Sequence, residues 1–189
     1  MLDKLITYGF IGSIRLIRDL MLTRIFFRRS RLIRTPFYIR GSRYIDFGES
    51  LTTGINLRLD AFLKGKGNKL IIFGDNCQLN DYVHIGAIES ITIGDNVLIA
   101  SKVFITDHNH GDYRNNVENH LSPVDRKLFS SPVHIGNNVW LGEGVMVMPG
   151  VSIGNNVTVG AGSIVTKSLP DNCLAVGVPA KVIRKFMDY

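Results

Sequence analysis

One phrase recurs five times along this chain: Phe47-Gly-Glu-Ser, Phe73-Gly-Asp-Asn, Ile93-Gly-Asp-Asn, Ile135-Gly-Asn-Asn and Ile153-Gly-Asn-Asn. Counting in sixes from each gives Phe47, Thr53, Leu59; Phe73, Leu79, Ile85; Ile93, Ile99, Ile105; Ile135, Leu141, Val147; and Ile153, Val159, Val165. Fourteen of these fifteen positions are aliphatic or Phe, so a core-facing register holds over most of the chain. Four places along the hexads stand Leu51, Leu57, Leu63, Cys77, Val83, Val97, Val103, Val139, Val145, Val151 and Val157. A period of six fits neither a helix at 3.6 nor a plain strand at two. It fits a short strand plus a turn, with Gly, Asp and Asn supplying residues that tolerate tight corners. Three hexads close one triangular coil of 18 residues, so fifteen hexads predict about five stacked coils. The expected fold is all-β, a hexapeptide parallel β-helix. Cys77 falls on an inward position and is expected to be inert core.

Extra residues fall at coil boundaries, at 65–72, 91–92 and 111–134. A coil cannot absorb insertions without losing register, so they must loop outward. The loop 111–134 follows coil three and begins just after Ile105-Thr-Asp-His-Asn-His. Long loops on a rigid solenoid usually carry function or subunit contacts. Residues 44–189 are therefore expected to form the β-helix domain, ending in a short C-terminal segment at 170–189.

The net charge of +6 is uneven. Residues 1–43 hold ten of the 22 Lys/Arg but only two of the 16 Asp/Glu, which makes this segment +8 and the remainder −2. The body is not basic, so nucleic acid is not an expected partner. The longest uncharged run of the segment, Leu5–Ile14, is ten residues, well short of the roughly 20 needed to span a bilayer. No small-residue cleavage site follows it, which argues against a cleaved signal peptide. At helical pitch Lys4, Arg15, Arg18 and Asp19 share one face, and Leu5, Ile6, Phe10, Ile14, Ile17, Leu20 and Met21 another. Two readings of this amphipathic helical segment stand open. It packs on its own domain or a neighbouring subunit, or residues 1–34 lie on an anionic membrane face. Two distant cysteines, Cys77 and Cys173, form no C-x-x-C motif, so a reducing cytoplasm is the expected compartment.

Residues 47–184 resemble the hexapeptide-repeat acyltransferases. The carrying stretches are FGDNCQLNDYVHIGA, ITIGDNVLIASKVFITDHNHGDY, PVHIGNNVWLGEGVMVMPGVSIGNNVTVGAGSIVTKSLP and VGVPAKVIRK. They match the maltose and galactoside acetyltransferase branch in register and order. With the basic N-terminal segment, NDYVHIGA and DHNHG look closer still to bacterial lipopolysaccharide (O-antigen) and colanic acid O-acetyltransferases. The resemblance implies a left-handed β-helix, a homotrimer with active sites between subunits, and acetyl-CoA as co-substrate without a metal. It implies direct acetyl transfer to an acceptor hydroxyl, with a histidine as general base. The expected acceptor is a sugar or lipid-linked oligosaccharide of a surface polysaccharide, modified at the cytoplasmic side.

Aligned on the family, the catalytic histidine falls on His110. The chemistry agrees: a neutral imidazole near pKa 6.5 can take a hydroxyl proton during attack on the thioester. His108, two residues away on the same side of an extended strand, is a supporting residue, as is Asp107, which can hold a histidine's other nitrogen. Asn80 aligns with a family asparagine that contacts the acceptor, and Asp81, Tyr82 and His84 surround it. Ile88 stands where the family has an acidic acceptor ligand, with Glu89 adjacent, so the acceptor is expected to differ from a simple galactoside. On the donor side the resemblance implies Trp140, Gly142, Ala161, Thr166, Lys167, Lys181 and Arg184. The N–H groups of Gly142 and Ala161 would bond the thioester and pantetheine, and the three cations would face CoA phosphates. Glu143 replaces a family serine that helps the oxyanion. A carboxylate cannot donate, so a backbone N–H is expected to do so.

Each of these residues also has a plainer reading, as a solvated loop histidine, a turn asparagine, a corner glycine or a surface lysine. Three rival functions share the sequence features. One is a zinc enzyme of the γ-carbonic-anhydrase type with His84, His108 and His110 as ligands, although the spacing is wrong for that family. Another is a non-catalytic scaffold. The third is an acetyltransferase for another small acceptor, such as an amino-sugar nucleotide or a xenobiotic.

Overall fold

The computed structural model describes residues 2–62, 69–112 and 120–186, with side chains from residue 6 onward. Leu63, residues 65–68 of the 65–72 insertion and residues 113–119 of the long loop lie outside the described residues. Three parallel sheets of six, five and seven strands wrap one axis. The first sheet runs from Phe37–Arg40 through Leu57–Ala61, His84–Ala87, Phe104–Thr106 and Met146–Val147 to Ile164–Val165. The second runs from Ile45–Asp46 to Ser152–Ile153. The third runs from Thr52–Thr53 to Cys173–Gly177 and closes with the antiparallel strand Ala180–Lys185. The chain visits second, third and first sheet in turn through five coils, which makes the expected left-handed β-helix.

The axis is filled as the repeat requires. Of the fifteen hexad positions, fourteen are buried, Thr53 among them. Phe47, at the open end, is half-buried against the same core. Cys77 is buried in this core, where desolvation pushes its thiol above the ordinary value.

The corner phrase carries more than turn chemistry. Its fourth residue takes the left-handed conformation, at Ser50, Asn76, Asn96, Asn138 and Asn156. Its third residue reaches across coils: the Asp75, Asp95, Asn137 and Asn155 side chains, and that of Asp171 at the matching place beyond the last phrase, each accept the backbone N–H of the equivalent residue one coil earlier, at 2.7–2.9 Å. The glycine makes room for this ladder, since a Cβ on Gly74 would sit 2.3 Å from Asp95 Oδ1. Ladder partners are separated by 26, 20, 42, 18 and 16 residues down the edge. The first three exceed the 18-residue coil because of the insertions, but Ile71, Ile91 and Val133 are buried strand residues of the second sheet, so the extra residues precede them and 91–92 does not loop outward. The described base of the long loop is a β-hairpin, His108–His110 against Leu128–Ser130.

The N-terminal segment caps the open end of this prism. Leu32 pairs with Thr52, and Phe37–Arg40 adds a rung to the first sheet, so part of the basic segment is integral to the solenoid. Phe27 packs edge-on against Phe37 and Phe47, at 5.6 and 5.3 Å between ring centroids. Helix α1 (Leu2–Phe26) kinks at Gly9, whose φ of 66° breaks the helical path. Its prism-facing side is largely polar, with Asp19 and Thr23 buried, while Phe10, Ile14, Ile17, Met21 and Ile25 are all more than half exposed. Most of the apolar stripe is thus left uncovered by its own chain, which leaves a neighbouring subunit or a membrane face as its cover. Among the described residues no helix is long and apolar enough to cross a membrane.

Candidate active site

The site begins where the chain leaves the solenoid after Phe104–Thr106. Asp107 is fully buried. Its carboxylate accepts the N–H groups of Ile88 (3.0 Å), Glu89 (2.8 Å) and Ser90 (2.8 Å) from the preceding coil. It also lies 2.9 Å from His108 Nδ1. Its own carbonyl accepts the Ser131 N–H at the foot of the hairpin. A carboxylate partner assigns the proton to Nδ1 and leaves Nε2 of His108 as the acceptor. Asp107 therefore holds a histidine's other nitrogen, as the sequence suggested, and that histidine is His108. His108 lies over Gly86, where a Cβ would be 3.6 Å from its Cε1 and 3.8 Å from His84 Nε2. His110, on the same side of the hairpin strand, is exposed, and its ring has no hydrogen-bond partner among the described residues.

His84 sits on the outer side of the first sheet. Its Nε2 is 3.2 Å from Asp60, a buried carboxylate that Arg40 (2.6 and 3.1 Å) and Arg58 (2.8 Å) also clasp. Burial holds the His84 imidazole below its ordinary 6.5, against the pull of Asp60. Burial pushes the Asp60 carboxyl up, but the two arginines outweigh it and bring the group below its ordinary value. Sequence reasoning missed this cluster. The signal was present: Arg58 and Asp60 alternate with inward Leu57 and Leu59, which puts both on the outer face beside His84.

The corner between third and first sheets carries Asn80, Asp81 and Tyr82. Asp81 accepts the Ile55 N–H at 2.8 Å, so its carboxylate ties two coils together. The Asn80 side chain accepts from Gln78 Nε2 at 3.2 Å. Tyr82 is half-exposed in the left-handed region, with φ of 59°. Corresponding corners hold Asn56, Lys102, Gly144 and Gly162. A tyrosine there costs roughly 1 kcal/mol, a local strain that marks the position.

The donor candidates divide between two edges. Trp140, half-exposed, stands in an outer column of the third sheet whose rungs lead through Thr158 and Leu174 to Arg184. Lys181 pairs with Val176 beside it. The Gly142 N–H donates to Val159 O at 2.8 Å, so the role expected for that N–H is already taken by coil stacking. Gly142 serves instead by its size, since a Cβ would lie 2.6 Å from the Ala161 nitrogen. The Ala161 N–H has no partner among the described residues. The Glu143 carboxylate pairs with Lys102 at 2.9 Å. Thr166 and Lys167 are exposed on the other edge, at the corner from which Asp107 departs. One chain therefore holds the two groups apart across the first sheet. Among the described residues no cluster of three or more His, Cys, Asp or Glu is arranged to hold a metal ion.

Comparisons with known proteins fit this arrangement. A family model described as bacterial transferase hexapeptide (six repeats) matches residues 132–167. The chain is 55% identical over 182 residues to an Escherichia coli K12 protein provisionally named lipopolysaccharide biosynthesis O-acetyl transferase WbbJ, covering 95% of this chain and 91% of that one. A maltose O-acetyltransferase from Clostridium difficile 630 superposes with a TM-score of 0.64 at 28% identity, over 92% of this chain and 89% of the other. A hexapeptide-repeat acetyltransferase from Vibrio cholerae, solved with acetyl coenzyme A, gives 0.58 at 27% identity over 76% and 70%. Five coils, a histidine-bearing hairpin at the fourth coil's entrance and a relative matched almost end to end agree: the chain belongs to the hexapeptide-repeat acetyltransferases.

Proposed function

We propose that the chain transfers acetyl from acetyl-CoA to a sugar hydroxyl of a surface polysaccharide, in O-antigen or lipopolysaccharide biosynthesis at the cytoplasmic side. The observation that carries this reading is the 55% identity to the Escherichia coli relative over 95% of the chain, basic N-terminal segment included. His110 acts as general base: it takes the hydroxyl proton as the oxygen attacks the thioester carbon. The new C–O bond forms, the C–S bond breaks, and the proton passes to the leaving CoA sulfur. Asp107 and His108 position the base and acceptor, and the free Ala161 N–H is the donor available to the developing oxyanion. Asn80, Tyr82 and His84 border the acceptor; Trp140, Thr166, Lys167, Lys181 and Arg184 border CoA. A second reading makes His108 the base, favoured by its bond to Asp107. Comparing surface polysaccharide from a deletion strain and its parent by NMR tests the function. An acetyl resonance is expected to disappear, and identical spectra would sink the proposal.

The chain is read as a homotrimer, and the divided site supports an interface between copies, which would join the edge bearing Trp140 and Ala161 to the edge bearing His110 and Lys167. The exposed stripe of α1, flanked by Arg24, Arg28 and Arg31, is read as resting on an anionic membrane. Removing residues 1–34 is not the test, because Arg29 to Leu32 pair with the first coil. Replacing Ile14, Ile17 and Met21 by Ser is expected to abolish co-sedimentation with phosphatidylglycerol vesicles while light scattering still reports three chains. Loss of the trimer instead would assign the stripe to a subunit contact.

A further inference from the structure

Between α1 and the prism lies a cleft of about 520 Å3, away from the histidine hairpin. Tyr8, Arg15, Arg18, Asp19, Arg34 and Ile55 are among its walls. Asp19 is buried and accepts from Arg18 Nε (3.0 Å), Arg18 Nη2 (2.8 Å) and Thr35 Oγ1 (2.7 Å). That carboxylate neutralises Arg18 and fixes α1 to the wall. The other two guanidinium groups have no carboxylate partner among the described residues. Arg34 is held by Thr53 O (3.2 Å) and contacts the Tyr8 hydroxyl (3.4 Å), and Arg15 has no partner among the described residues. Three guanidinium groups against one carboxylate leave an excess of two positive charges in a concave, partly apolar space.

The cleft has a definite address. Ile55 gives its N–H to Asp81 Oδ1 (2.8 Å) and accepts the Tyr82 N–H (2.9 Å). The cleft therefore ends one rung, about 4.8 Å, from the corner assigned to the acceptor sugar. We propose that it binds the diphosphate that links the acceptor sugar to its carrier. The inference rests on the sugar-acceptor reading and narrows it, from a free sugar to a carrier-linked one. A diphosphate diester bears two negative charges, which match the cleft's excess. Guanidinium forks bind phosphate oxygens in pairs, and the Tyr8 hydroxyl is a further donor. The bulk of the neutral carrier meets Leu16 and Pro36.

Equilibrium binding to the full chain tests this, with inorganic pyrophosphate, uridine diphosphate and farnesyl diphosphate as probes, and uridine and farnesol as controls. Pyrophosphate binding is expected to weaken about tenfold or more in Arg15→Gln and in Arg34→Gln, each pair of charge-assisted bonds supplying that much. Acetyl-CoA affinity is expected to stay unchanged, which separates this cleft from the donor's own phosphates. Arg15 makes no described contact, so its variant reads binding without disturbing the fold even where Arg34→Gln destabilises. Farnesyl diphosphate bound well above uridine diphosphate identifies a lipid carrier, and the reverse order a nucleotide; either supports the proposal. Pyrophosphate bound equally by wild type and Arg15→Gln, or diphosphates bound no better than their alcohols, overturns it. A chain that binds diphosphate here but acetylates no sugar keeps the cleft and refutes the reading beneath it.

Discussion

Replacing His110 by Ala is expected to lower kcat by at least a hundredfold with little change in the KM for acetyl-CoA. General base catalysis contributes roughly 10²–10⁴-fold, and the residue does little else: its ring is exposed and no described group depends on it. His110→Ala should therefore leave thermal stability unchanged. His108→Ala should cost less, on the order of tenfold, because His108 acts through position. The pair of variants decides between the two bases, since both imidazoles lie on one side of the strand His108–His110 and differ in support. His108 is anchored by Asp107 and sheltered over Gly86. His110 stands exposed at the end of the same strand. A larger loss in His108→Ala than in His110→Ala transfers the base to His108; a loss below tenfold in both removes the histidine mechanism. Steady-state kinetics on purified variants with one acceptor measure this.

The fold was legible because one number, the period of six, fixes strand length, corner placement and coil size together. Fourteen buried hexad positions follow from it, but the insertion bounds do not: Ile71, Ile91 and Val133 are buried strand residues, so the extra residues precede them and 91–92 belongs to a coil. The site was legible in its residues and less so in its bonds. Asp107 was visible as a histidine's partner, but its three contacts to residues 88–90 come from a coil boundary some eighteen residues away, which no local pattern marks. The Gly142 N–H was misassigned because a corner glycine looks the same whether its N–H faces a ligand or, as here, the carbonyl of Val159 in the next coil. The Asp60 cluster went unseen for a related reason. Arg40 reaches Asp60 only because Phe37–Arg40 joins the first sheet, a pairing set by the cap at the prism's end. Helix α1 shows the limit of periodicity. Its apolar stripe was plain, yet the side that docks is the polar one, held by Asp19 and Thr23 through hydrogen bonds to Thr35 and Ile33.

Asp107→Ala is expected to destabilise the chain by about 3–5 kcal/mol and to lose activity with it. The fully buried carboxylate satisfies three backbone N–H groups and one imidazole nitrogen, and each buried donor left without an acceptor costs about 1–3 kcal/mol. Water entering the vacated space recovers part of this, which keeps the total below the simple sum. The turn at 88–90 and the foot of the hairpin share this one group, so both loosen together, and the histidines lose their fixed place over the first sheet. Asp107→Asn separates the two effects. Its amide oxygen still accepts backbone N–H groups, so most of the stability is retained. Its NH2 can donate to His108 but cannot accept from it, which reverses the imidazole's tautomer, as an Asp-to-Asn change does in a catalytic triad. Activity should then fall further than stability does. Denaturant unfolding beside kcat for both variants tests the assignment. An Asp107→Ala chain within 1 kcal/mol of wild type would show that the carboxylate is not the clasp between coil and hairpin.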